Sequence, residues 1–114
     1  WTRARGGHIV NIASAAGYYA ASDMSAYSAS KHAIEGYSES LDHEVRPFGI
    51  RVAVIEPWAT KTSIEASSPQ GDLPVAAYSQ MLARYRSAFG AAMATGDTAE
   101  QVAATIVGRD PMYD

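Results

Sequence analysis

The chain has no cysteine, which excludes a disulfide framework, a thiolate metal site and any redox chemistry from its own thiols, and suits a reducing compartment. Its histidines, His8, His32 and His43, lack metal-ligand spacing, and no His-Glu-x-x-His pattern occurs, so no metal site is expected. No run approaches the ~18 apolar residues of a membrane span. The opening Trp1-Thr2-Arg3-Ala4-Arg5 also lacks the apolar core of a signal peptide. Clustered positive charge is missing too: Lys and Arg number 9 against 12 Asp and Glu, for a net charge of −3, and they are dispersed along the chain. Without a basic patch to neutralise several phosphates, nucleic acid is not an expected partner. The reading is a cytoplasmic chain with neither nucleic-acid nor membrane partners. Also lacking is a glycine-rich phosphate turn, since neither G-x-x-x-G-x-G nor G-x-G-x-x-G is present.

What is present is an apolar fraction of 47% in 114 residues, enough for a globular core but for one small domain at most. His8 to Ala13, with β-branched Ile9, Val10 and Ile12, reads as a strand buried on both faces, and Ser14 to Met24 as a loop. Ala26, Ala29, Ala33, Ile34, Tyr37, Leu41 and Val45 recur at threes and fours, which predicts a helix over 25–46. Asp23 or Ser25 would cap its start, and Pro47 and Gly49 would end it. Ile50 to Glu56 is a second β-branched strand closed by Pro57, and two such strands joined by a helix make a parallel βαβ crossover. Ser63 to Pro74 has the composition of a mobile surface loop, in position to act as a lid. Helical periodicity returns over 75–92, and Thr98 with Gln101 forms a capping-box pattern for a last helix through Val107. Arg3, Arg5 and Gly6 read as the tail of an earlier helix, so the chain is expected to be an internal fragment.

Tyr27-Ser28-Ala29-Ser30-Lys31 carries the chemistry. A tyrosine and a lysine four residues apart share one helix face. A free phenol gives up its proton only near pH ~10, so neutral-pH proton transfer needs a cation beside it, which Lys31 can supply. Ser14 lies thirteen positions before Tyr27, at the tip of the first strand, where its hydroxyl opens into a loop. Together the three describe a carbonyl/alcohol site. Taken alone, a Tyr–Lys pair at helical spacing is common by chance and a strand-end serine is an ordinary turn residue; their joint spacing is what selects the chemical reading. Asn11 reads as a strand residue bonding backbone. Gly36-Tyr37-Ser38-Glu39-Ser40 approaches the hydrolase elbow but falls inside a helix, which disfavours a serine hydrolase.

An apolar strand ending in Ser14, then Tyr27-x-x-x-Lys31, a long helix and a second strand resembles the short-chain dehydrogenase/reductase family from Gly6 to about Val107. The resemblance implies an α/β fold, a partial Rossmann-like doubly wound parallel sheet of one βαβ unit plus C-terminal helices. Residues 1–114 would then be an incomplete single domain, the C-terminal half, without the Gly-rich cofactor-binding half. It implies an NAD(P)-dependent oxidoreductase acting on a ketone or secondary alcohol, with NAD or NADP as cofactor. Tyr27 would be the general acid/base, Lys31 would tune it and hold the cofactor ribose, and Ser14 would orient the substrate oxygen. Pro57, Thr60 and Thr62 would contact cofactor, as would Tyr27 and Lys31. Trp58 departs from the family's Pro-Gly turn and puts that turn's geometry in question. Tyr18, Tyr19 and the loop over 63–73 fall where the family makes substrate contacts. A homo-oligomer through the helix over 25–46 is implied. The alternative is a non-catalytic fragment, or a dimerisation or binding module of the same fold. In isolation the chain is expected to be poorly stable or self-associating, with sheet edges and a helix face uncovered.

Overall fold

β-branched residues form the two longer strands. In the computed structural model, which describes residues 6–68 and 75–108, β1 (Gly7–Ile12) and β2 (Ile50–Ile55) lie parallel, in register from Gly7 opposite Ile50 to Ile12 opposite Ile55. The crossover between them is α1 (Ser25–Val45). The remaining elements are β3 (Thr60–Lys61), a single helical turn α2 (Ile64–Ser67), α3 (Ser79–Thr95), β4 (Asp97–Thr98) and α4 (Ala99–Gly108). β3 and β4 form a second short parallel pair. The arrangement is α/β: one βαβ unit of a Rossmann-like sheet, followed by C-terminal helices.

Burial along β1 is lower than its composition predicts. His8 and Ile12 are exposed and the residues between them are only half-buried, because β2 is the one strand pairing with β1 among the described residues and α1 lies on the same unit. Among the described residues the buried apolar ones are Ala13, Ala15, Ile50 and Ile55, at or just beyond the strand ends. The Cα radius of gyration is 17.5 Å, against about 13 Å for a compact domain of this length.

α1 ends as its sequence predicts and begins differently. Arg46–Phe48 forms a 3-10 turn with Pro47 in its first positions, and Gly49 at φ 72° supplies the left-handed stop. At the other end Met24, not Asp23 or Ser25, occupies the cap position, and no side chain caps it. Asp23 itself takes φ 63°, a left-handed conformation that aspartate tolerates, so it turns the chain into the helix instead of capping it.

Asp42 joins α1 to β2. Its Oδ1 accepts from the Val52 amide at 2.8 Å and from Arg51 Nε at 3.0 Å, while Oδ2 accepts from Arg46 Nη2. Those bonds, Arg51's foremost, hold the Asp42 carboxyl well below the usual carboxylate range. Asn11 makes a second tie. It does not bond backbone as expected; its Nδ2 donates to Ser38 Oγ at 2.8 Å. On a strand a side chain stands off the ladder plane, and this one meets α1, where Ser38 is buried. That burial also removes Ser38 from any nucleophilic role.

In the C-terminal half, a 3-10 turn at Ala76–Tyr78 precedes α3, which starts later and runs further than the periodicity over 75–92 indicates. The capping box at α4 forms in both directions: the Thr98 amide donates to Gln101 Oε1 at 2.7 Å and the Gln101 amide to Thr98 Oγ1 at 3.2 Å. Part of the loop expected over 63–74 is the turn α2, whose Ile64 amide donates to Thr62 Oγ1 at 3.4 Å. Residues 69–74 lie outside the described ones, as do Arg3 and Arg5.

Candidate active site

In parallel α/β sheets, ligands collect beyond the carboxyl ends of the strands, where successive loops diverge. Here the loops after β1 and β2 are stitched together at that edge, the Ala13 amide donating to Ile55 O at 2.8 Å and the Ala15 amide to Pro57 O at 3.1 Å. A cleft of about 830 Å³ opens above them. Ser14, Tyr27, Pro57, Thr60 and Thr62 all line it.

Ser14 has extended backbone (φ −169°, ψ 156°) and begins a 3-10 turn at Ala15–Gly17, within the stretch expected to be loop. Its Oγ accepts from the Ala16 amide at 3.3 Å. Accepting uses a lone pair, so the hydroxyl hydrogen is left to donate. Tyr27 stands in the first turn of α1, exposed to the cleft. Lys31 is one turn further on and stands behind the phenol: its Nζ lies 5.5 Å from the Tyr27 ring centroid and donates to Ile12 O at 3.5 Å. The ammonium therefore ties the helix to the strand end from which Ser14 projects. Thr62 Oγ1 likewise accepts, from the Ile64 amide, and keeps its hydrogen for a ligand.

The turn bearing Ser14 is seated on α1 through Gly17 and Glu35, two residues that sequence reasoning passed over. A Cβ on Gly17 would lie 2.9 Å from Glu35 Oε1 and 3.2 Å from Lys31 O, so a larger residue there would displace the Glu35 carboxyl and press on the α1 backbone. The available signal was the spacing, with Glu35 one turn beyond Lys31 on the same face. Glu35 Oε1 is buried without a hydrogen-bond partner. Burial first, then the charge of Glu56 and a hydrogen bond with it, raise the Glu35 carboxyl above its ordinary 4.5, with His32 acting the other way. A group whose folded pKa is raised favours folding below its unfolded value, and that contribution is lost as pH climbs through the folded value. Above that window the Glu35 carboxylate is a liability. Glu35→Gln in the protein carrying this sequence is therefore expected to raise the melting temperature near neutral pH, with the gain disappearing by about pH 4. Thermal melts of both proteins at the two pH values check this, and a variant that melts at or below wild type near neutral pH would contradict it.

Trp58 stands where a turn glycine was expected. No non-glycine residue except Asp23 has positive φ among the described residues, so the Pro57–Trp58 turn does not require glycine. The indole projects instead toward Tyr19, with ring centroids 6.1 Å apart and planes at 53°. Tyr18 is exposed and lies off the cleft lining, whereas Tyr19 is part of it. Among the described residues there is no group of three or more His, Asp or Glu able to hold a metal, and no helix long and apolar enough to cross a membrane.

A family model described as short chain dehydrogenase matches residues 1–72. The uncharacterized oxidoreductase YusZ of Bacillus subtilis is 49% identical over 63 residues, which are 55% of this chain and 22% of that protein. Among solved structures, a short-chain dehydrogenase from Streptomyces avermitilis superposes with a TM-score of 0.70 at 34% identity, over 92% of this chain and 38% of that one. A short chain dehydrogenase/reductase from Burkholderia phymatum, solved in complex with NAD, gives a TM-score of 0.61 at 32% identity, over 78% of this chain and 34% of that one. The match spans 22% to 33% of the length of three curated relatives similar to this chain, YusZ at 22% among them.

Proposed function

The chain belongs to the short-chain dehydrogenase family, and on that footing we propose that it is the carboxyl-terminal, catalytic half of an NAD(P)-dependent oxidoreductase acting on a ketone or secondary alcohol. The observation that carries the reading is the convergence of Ser14 and Tyr27 on one cleft, with the Lys31 ammonium 5.5 Å from the phenol ring. The expanded radius of 17.5 Å supports the view that the functional unit is a longer protein.

Tyr27 exchanges a proton with the substrate oxygen, as acid in reduction and as base in oxidation. Ser14 donates its free O–H to that oxygen and holds it beside the phenol, a preorganised dipole aimed where negative charge develops. Lys31 holds a cation 5.5 Å from the phenol ring, and its compact ammonium with three donors can serve Ile12 O and a cofactor hydroxyl together, which a planar guanidinium does less well. The residues present suit the nicotinamide end of a cofactor. Pro57, Thr60 and Thr62 border the cleft at the carboxyl edge of the sheet, and Thr62 retains a hydroxyl hydrogen to donate. When bound, the nicotinamide supplies or accepts hydride at the substrate carbon. The relative solved with NAD supports this class of cofactor. A Gly-rich turn for the pyrophosphate would belong to the preceding βαβ unit. The outer face of α1, where the small residues Ala29, Ser30, Ala33 and Gly36 are exposed beside the larger Tyr37, can pair with a second copy in a homo-oligomer.

Nicotinamide oxidation or reduction by the full-length protein, assayed over a panel of ketones and secondary alcohols, tests the reading. Turnover is expected with part of the panel, and Lys31→Arg should slow it by about tenfold or more, the effect of losing about 1.4 kcal/mol of transition-state stabilisation when a planar guanidinium replaces the three-donor ammonium. A full-length protein that turns over no member of the panel with either cofactor would defeat the assignment.

A further inference from the structure

Beyond the reacting hydroxyls, the cleft is walled by aromatic and aliphatic carbon. Tyr19 and Trp58 face each other across one side and are 59% and 65% exposed, so two large rings stand open to the cleft instead of being packed away. α3 supplies another side through Leu82 and the stacked pair Tyr85–Phe89, whose centroids are 5.7 Å apart. Charge on the lining is confined to Asp23 and Arg86 among the described residues. Exposed rings such as Tyr19 and Trp58 gain most by covering apolar ligand surface, and the lining around them is predominantly carbon.

Resting on the oxidoreductase reading above, we propose that the substrate is a bulky apolar ketone or secondary alcohol, bearing an aryl or extended alkyl body. Its oxygen lies at Ser14 and Tyr27, and its body lies on the wall of Trp58 and Tyr19. Trp58 and Tyr19 are specificity-determining residues. Trp58 occupies the turn that leads from β2 into the residues bordering the nicotinamide end, so its ring touches the part of the substrate next to the reacting carbon. A polyhydroxylated ketone would leave its hydroxyls unpaired against these rings and is rejected for that reason.

The test uses the full-length protein loaded with cofactor. Wild-type kcat/KM is measured for a phenyl alkyl ketone, for butanone and for a polyhydroxylated ketone, and again in Trp58→Ala and Tyr19→Ala. The phenyl ketone is expected to lead the polyhydroxylated one by about 10–200-fold. Trp58→Ala should raise KM for the phenyl ketone about tenfold or more with little change in kcat, and leave butanone nearly unaffected. In parallel, the dissociation constant of the phenyl ketone is measured in Tyr27→Phe with and without Trp58→Ala. Binding that weakens with loss of Trp58 supports the wall even if the proton-transfer assignment fails, so the two readings fall separately. Equal preference for the phenyl and polyhydroxylated ketones overturns the proposal. So does a Trp58→Ala variant that affects all three substrates alike or unfolds, because the ring would then be packing against protein and not ligand.

Discussion

Tyr27→Phe in the full-length protein is expected to lower kcat by about 10²- to 10⁴-fold, the range for removing a positioned general acid or base. Binding should be nearly unchanged, because the substitution deletes one oxygen from a ring that stands 40% exposed at the cleft and leaves its carbon surface in place. Lys31 would keep its anchor on Ile12 O, which does not involve the phenol. Single-turnover rates and direct measurement of substrate binding separate the two effects. Wild-type kcat in the variant would show that the proton passes by another route, and the assignment of Ser14, Tyr27 and Lys31 to carbonyl/alcohol chemistry would fall with it.

Gly96→Ala should be damaging far from any reacting atom. Gly96 has φ −71° and ψ 172°, a conformation any residue adopts, so the requirement for glycine comes from space and not from the backbone angle. A Cβ there would lie 2.6 Å from the Ala59 carbonyl carbon and 3.0 Å from Ala59 Cβ, and would overlap the Ala59 oxygen, which accepts from the Asp97 amide at 3.0 Å. The clash is with backbone, which cannot swing aside as a side-chain end can. Overpacking of this kind costs about 1–3 kcal/mol. The strain also bears on β3, where Thr60 borders the cleft, and a misplacement near 1 Å at a positioning residue can cost about 10²-fold in rate. Thermal melting together with the KM for cofactor tests this. An unchanged melting temperature would mean that the β3–β4 pair does not hold the cleft's far side.

Several features were legible because they depend on neighbours in sequence. The 3.6 periodicity of Ala26 through Val45 located α1, the β-branched runs located β1 and β2, and the Thr98–Gln101 pattern formed the cap it predicts. The Tyr27–Lys31 relation was equally local, since one helical turn places an ammonium beside a phenol whatever the rest of the chain does. Ser14 at a strand tip was legible for the same reason. The Asn11–Ser38 bond spans 27 residues, and neither residue type announces the other. The replacement of a side-chain cap by Asp23 at positive φ was hidden too, because aspartate serves both as cap and as turn residue and only the direction of the incoming chain selects between them.

Backbone periodicity is enough to present a phenol, an ammonium and a hydroxyl from one strand and one helix, because it sets those positions within a few residues. Their surroundings come from packing across the chain. Glu35 against Gly17, Gly96 against Ala59, and Tyr19 opposite Trp58 are meetings of segments distant in the chain. The last of these follows from how the loops after β1 and β2 are drawn together at the sheet edge by the bond from Ala15 to Pro57. No local preference encodes that closure, which depends on the packing of the whole βαβ unit.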